Sequence, residues 1–205
     1  GVDHLETAYL HGFTPYVVNA PVVIADGVNS HAWREVPVHL KHFENVKIAD
    51  GILSANAMVV VSHFKGHAFG GFGGAIKNLA MGCAPHEGKI DQHGRNIVIT
   101  GGCVGCGQCV KICPQKALSL EKAEKGQKCV IDTEKCFGCY ECMSVCKHGG
   151  IGIDLPNESS DFSERMVEYA YGSLQGKDGR LFFINFLMNI TPQCDCAGWC
   201  DSVLV

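Results

Sequence analysis

Eight of the chain's thirteen cysteines fall into two runs of one spacing. Cys103, Cys106, Cys109 and Cys113, followed by Pro114, read C-x2-C-x2-C-x3-C-P, and Cys136, Cys139, Cys142 and Cys146 repeat the spacing with Lys147 in place of the proline. Three thiolates on one tight loop can cap three corners of a cubane, while the fourth sits beyond them on the helix that follows. Gly105, Gly107 and Gly138 keep the loops narrow and leave backbone N–H groups facing the sulfurs. The chemistry implied is thiolate ligation of two [4Fe–4S] clusters and one-electron transfer. Zinc, the alternative, takes pairs of CxxC rather than two such runs related by pseudo-symmetry. The spacing also argues against a disulfide scaffold and for a reducing compartment.

Over about residues 98–155 the sequence resembles a bacterial-type two-cluster ferredoxin. The resemblance implies crossed ligation, in which the fourth cysteine of each run serves the other run's cluster. Cys103, Cys106, Cys109 and Cys146 then hold one cluster, and Cys136, Cys139, Cys142 and Cys113 the other. Residues 117–121 and 129–133 form a hairpin between the runs, with Cys129 as packing. Pro114 shapes the chain without being a ligand, so Lys147 at the equivalent place leaves the ligand set unchanged.

A second constellation lies outside this module. His63, Lys65 and His67 accompany a glycine-rich stretch (66–74), Lys77 follows it, and Cys83 and His93 come later. Strand, glycine loop and helix in succession can grip an anion on backbone N–H groups, and the same order also serves as a tight turn with nothing bound. The candidate cofactor-binding residues are Gly70, Gly71, Gly73, Gly74 and Lys77, and the candidate catalytic pair is His67 and Lys77. Histidine moves protons near neutral pH, and a buried lysine clamps an anion or forms a Schiff base. The competing reading has His63 satisfied at a strand end, His67 and Lys77 tying the loop down, and His93 exposed. A third metal site is open to Cys194, Cys196 and Cys200 with Cys83 and His93, against a set of reduced thiols. Met58, Met81 and Met188 read as core.

The stretch 62–84, the two cysteine runs and the late Cys194–Asp195–Cys196 together resemble an uncharacterised iron–sulfur-centre family (domain of unknown function 362) over nearly the whole chain. That resemblance implies a longer parent protein and brings no known reaction. The stretch from His67 to Gly82 is also similar to the cofactor loop of the lactate racemase family. By that likeness Lys77 matches a lysine holding a nickel-pincer nucleotide, His67 an acid/base histidine and His93 a nickel-ligating one. Gly73 and Met81 stand where that pattern has serine and proline.

The elements that must position these groups read as α/β. The 205 residues are 46% hydrophobic and 19% charged, enough for one domain and a smaller one. The expected elements are a helix ending near residue 14, strands at 20–27 and 36–40, and a helix at 48–56. A buried strand at 57–63 precedes the glycine stretch, and a helix at 75–84 follows it. Beyond these come a strand at 96–100, a helix at 162–174 and a buried central strand at 180–190. The apolar stripe of the 162–174 helix is Phe162, Met166, Val167, Tyr169 and Ala170. Strands and helices alternating on both sides of the cysteine module predict a mainly parallel sheet with the module inserted. The expected division is 1–97 with 156–205 as the α/β domain and 98–155 as the module. The chain reads as a fragment.

The net charge of −4 argues against a basic nucleic-acid surface, and two clusters would take it to about −8. An acidic electron carrier meets a basic patch on its partner. No run is apolar and long enough to span a bilayer, and no signal peptide opens the chain. The setting expected is therefore the cytoplasm of an anaerobic or oxygen-avoiding cell, without membrane or nucleic-acid partners. The function expected is an iron–sulfur redox protein relaying electrons to a site in the α/β domain, its partner a redox protein or a small-molecule substrate. The alternative is an enzyme with an anionic cofactor or substrate at His67, Lys77 and His93, the clusters being auxiliary or structural.

Overall fold

The computed structural model describes residues 2–67, 70–93, 97–124, 126–133, 135–136, 141–153 and 159–192. In chain order the first elements are α1 (Val2–Leu10), α2 (Pro15–Val18), β1 (Trp33–Pro37), β2 (Asn45–Ala49), α3 (Asp50–Leu53) and β3 (Met58–His63). There follow β4 (Lys65–His67), β5 (Gly71–Gly73), α4 (Ala75–Lys77), a π-helical turn (Asn78–Gly82), α5 (His86–His93) and β6 (Ile97–Ile99). The chain continues through α6 (Gln108–Ile112), β7 (Leu118–Lys122), β8 (Gln127–Ile131), α7 (Glu141–Ser144), β9 (Ile151–Ile153), α8 (Ser159–Leu174) and β10 (Leu181–Phe186). It divides into two compact units, Gly1–Gln92 with Glu158–Val205, and His93–Asn157.

In the larger unit a mixed α/β core forms around α8. Phe162, Met166, Tyr169 and Ala170 recur at helical spacing and are all buried, whereas Val167 is 51% exposed and lies off the stripe. They meet Val46 and Ile48 of β2 and Leu79, Ala80 and Met81 of the π-helical turn. Burying each of the larger apolar side chains contributes roughly 1.5–3 kcal/mol. The helix approaches β2 closely enough that a Cβ on Gly172 would lie 2.3 Å from Val46 Cγ2. Tyr169 is fully buried, packs edge-on against Phe43 at 5.1 Å, and donates to Asp91 Oδ2 at 3.2 Å, an oxygen that also accepts from Lys47 Nζ at 2.7 Å.

Several expectations change. Residues 20–27 form no strand, running instead as irregular chain into a turn at Ala25–Asp26. Ile48 and Ala49 belong to β2, which pairs antiparallel with β1, so the helix shrinks to α3. Among the described residues the strands form five pairs, and only β3 with β10 is parallel. The parallel sheet expected is thus present with two strands only, β3 and β10, and the other pairs are antiparallel. Neither of its strands is fully buried. In β3 the faces alternate, Val60 and Ser62 buried and Val59 and Val61 exposed, whereas β10 is exposed along both faces, Phe182, Phe183, Ile184 and Phe186 all lying open. No helix among the described residues is long and apolar enough to cross a membrane.

The smaller unit is built from two similar halves. The cysteine runs are offset by 33 positions, Cys103 against Cys136 and Cys113 against Cys146. Helix α6 carries Cys109 and α7 carries Cys142, and β7 begins at Leu118 and β9 at Ile151, at the same offset. Pairing crosses between halves. β6, ahead of the first run, pairs with β9, behind the second, and β8, ahead of the second run, pairs with β7, behind the first. Cysteines 109, 129 and 142 pack with Leu118 and Ile151 in its core, and Cys103, Cys113 and Cys146 lie against them.

Candidate metal centre

The first cysteine loop runs from Cys103 into α6 through two glycines in the left-handed region, Gly105 at φ 70° and Gly107 at φ 72°. Only glycine adopts this conformation without strain. A Cβ on Gly105 would also lie 2.2 Å from the Gln127 carbonyl oxygen. The loop is therefore pressed onto β8, which brings Cys103, Cys106 and Cys109 together.

Behind each run the chain turns the same way. Lys116 N–H donates to the Cys113 carbonyl at 3.2 Å and Gly149 N–H to that of Cys146 at 3.4 Å, both residues having positive φ, 51° and 61°. The next N–H then points back at sulfur, Ala117 N–H to Cys113 Sγ at 3.3 Å and Gly150 N–H to Cys146 Sγ at 3.1 Å. A third such bond runs from Cys129 N–H to Cys103 Sγ at 3.4 Å.

Cys103, Cys106, Cys109 and Cys146 line one pocket, walled by Leu120 and Ile151, with about 290 Å³ of space free of protein atoms, its open mouth included. Three of these sulfurs come from the first run and one from the second. The donor set, four cysteines with backbone N–H groups turned toward two of them around a common space, fits an iron–sulfur cluster. Cys129 lines the same pocket, its sulfur 3.5 Å from that of Cys109. Burial, then the hydrogen bond to Cys109 and the neighbouring thiols, pushes the Cys129 thiol up to about 12. Cys129 stands outside both C-x2-C-x2-C-x3-C runs. Of the other set, Cys113 and Cys136 are half-buried and Cys142 is buried, with Cys136 N–H donating to the Asp132 carbonyl at 3.0 Å. Cys139 and Gly138 lie outside the described residues.

In the larger unit the glycine stretch is a β-hairpin, β4 pairing with β5 so that Lys65 faces Gly73 and His67 faces Gly71. Gly66 N–H donates to the Thr191 carbonyl at 2.8 Å and Phe72 N–H to that of Gly70 at 2.8 Å. These N–H groups are thus committed to the protein rather than to an anion. His67 is buried and stacked on Phe162 at 5.5 Å, and its Nδ1 accepts from Gly70 N–H at 3.0 Å, which places the proton of a neutral ring on Nε2. Gly74 precedes α4 without a side-chain cap, and α4 runs directly into the π-helical turn, so helical backbone spans residues 75–82 as the sequence predicts. Lys65 Cε and Lys77 Cδ lie 3.5 and 3.6 Å from where a Gly73 Cβ would stand, so two lysine stems converge there. His63 closes β3, its Nε2 2.6 Å from the Met188 carbonyl.

Cys83 is buried in the core, and its thiol is pushed up to about 11 by burial, against the opposing pull of Lys177, Ser173 and Lys89. His93 closes α5, a helix not expected from the polar sequence. Cys194, Cys196 and Cys200 lie outside the described residues. One cluster was not foreseen. His42, Asp161 and Glu164 bring ligand-type atoms within 4.8 Å of one another. Hydrogen bonds from Lys41 and His42, both 2.7 Å from Glu164 Oε2, hold its carboxyl below the usual range. The lysine already supplies a cation there. Glu168 accepts the N–H groups of His42 and Phe43 at 2.9–3.1 Å, so the group reads as the tie of the 41–43 turn to α8. Only the Asp161/Glu164 spacing could have signalled it.

The model of a family described as Domain of unknown function (DUF362) matches residues 1–203, and the chain belongs to that family. No curated protein matches the chain.

Proposed function

We propose that this family member is an iron–sulfur redox protein. Cys103, Cys106, Cys109 and Cys146 hold one [4Fe–4S] cluster, and Cys136, Cys139, Cys142 and Cys113 a second. The pair relays electrons to a site in the α/β unit. The observation that carries this reading is the meeting of three cysteines of one run with the fourth of the other in a single pocket. The crossed strand pairing of the two halves supports the likeness to a two-cluster ferredoxin. A [4Fe–4S] cluster supplies one-electron chemistry at a potential tuned by hydrogen bonds to sulfur, charge and solvent exposure. Here the N–H groups of Cys129, Gly150 and Ala117 provide such bonds, and Leu120 and Ile151 keep water from one side of the pocket.

A second reading has the function at the glycine hairpin, as an enzyme taking an anionic cofactor or substrate with the clusters auxiliary or structural. The convergence of Lys65 and Lys77 on Gly73 favours it, with His67 as its proton-transfer group. One experiment separates the two. Protein purified without oxygen should show broad sulfide-to-iron charge-transfer absorption that dithionite bleaches and an oxidant restores. Absorption that resists reduction while the chain stays folded would make the clusters structural and transfer the function to the hairpin.

A further inference from the structure

We propose that a cavity beside Asp26, in the larger unit, binds a small zwitterion, the best-fitting class being an α-amino acid with an apolar side chain. This rests on neither the clusters nor the glycine hairpin. The cavity holds about 410 Å³, within the about 300–1,000 Å³ common for small-molecule sites. Asp26, Lys89 and His4 line it, and the rest of its walls are mostly aliphatic, with Ile24, Ile52 and Ala84 among them.

The informative group is Asp26. It is 8% exposed, yet among the described residues no donor reaches its carboxylate, and only its backbone carbonyl is engaged, by Ala32 N–H at 3.0 Å. A carboxylate so placed meets solvent through the cavity alone, so a donor held there would take the place of its water. Lys89 is half-buried on the same cavity, and no carboxylate among the described residues pairs with it, Asp26 included. Two opposite charges share one space without meeting. A ligand with an ammonium for Asp26 and a carboxylate for Lys89 satisfies both, while a singly charged one leaves the other group unpaired. The aliphatic walls then take an apolar side chain.

The frame is pre-formed. Gly51 N–H donates to the Ala25 carbonyl at 3.0 Å, and a Cβ on Gly51 would stand 2.9 Å from Ala25 Cα, so α3 sits directly against the Asp26 turn. Ala49 N–H to the Cys83 carbonyl at 2.9 Å fixes the chain on the other side, just before Ala84.

Calorimetric titration of the full, cluster-loaded chain with leucine, valine, methionine and phenylalanine tests this. At least one should bind. 4-Methylpentanoate, which lacks the amine, and 3-methylbutylamine, which lacks the carboxylate, should bind at least about tenfold more weakly than leucine, as expected when a charged group is left unpaired. Asp26→Asn should weaken amino-acid binding by a similar factor with iron content unchanged. Lys89→Met, on the half-buried face of α5, makes the same demand should Asp26→Asn not fold. Failure of all four amino acids to bind, equal binding of 4-methylpentanoate and leucine, or binding untouched by Lys89→Met would each overturn the proposal.

Discussion

Replacing Cys146 with alanine should empty the cluster of the first cysteine loop and leave that of the second. Cys146 stands 33 positions beyond its counterpart Cys113, in the second run, yet it shares a pocket with Cys103, Cys106 and Cys109. Iron should fall from about eight to about four per chain. Double variants give the decisive comparison. Cys106→Ala with Cys146→Ala removes two ligands of one cluster and should retain about four iron, whereas Cys113→Ala with Cys146→Ala strikes both and should retain almost none. Crossed ligation is wrong if the first double variant loses all its iron and Cys139→Ala with Cys146→Ala keeps half.

Gly105→Ala should be nearly as damaging although it removes no sulfur. The residue has φ 70°, and the new methyl would stand 2.2 Å from the Gln127 oxygen and 2.8 Å from its carbon. Left-handed backbone costs a non-glycine residue about 1–2 kcal/mol by itself, and backbone cannot step aside as a flexible side chain can. The loop must move off β8, carrying Cys103 and Cys106 with it, so the first cluster's iron should be lost or become labile to a chelator. Gly101→Ala is the control, since a Cβ there meets nothing within 4 Å and needs no positive φ. A Gly105→Ala protein as rich in iron as the Gly101→Ala one would show that the loop does not set the ligand geometry.

The smaller unit was the more legible part of the chain, because its repeat is written twice in the sequence. Apolar runs around the cysteines marked β6 to β8. The helices, however, carry the third cysteine of each run, Cys109 and Cys142, while Cys113 ends α6 in extended backbone and Cys146 lies beyond α7, not on the helices where the spacing put them. α8 was legible from its stripe, although Val167, expected within it, is exposed. The misses share a cause in long-range placement. Ile48 and Ala49 look helical beside Asp50, but their backbone is taken by β1. Phe182, Ile184 and Phe186 look like a central strand, yet among the described residues β10 pairs with β3 alone and is exposed along both faces. The hairpin β4–β5 carries no periodicity at all, since glycine at Gly66, Gly71 and Gly73 gives no signal of which side faces in. His42 meets Glu164 from 122 positions away, and Asp26 shares a cavity with Lys89, pairings that no local pattern announces.

The central claim is that eight cysteines hold two [4Fe–4S] clusters. Iron, acid-labile sulfide and zinc, quantified together in the chain purified without oxygen, test it most directly. The account predicts about eight iron and eight sulfide per chain with no stoichiometric zinc. About four iron and four sulfide, or zinc without sulfide, would contradict it.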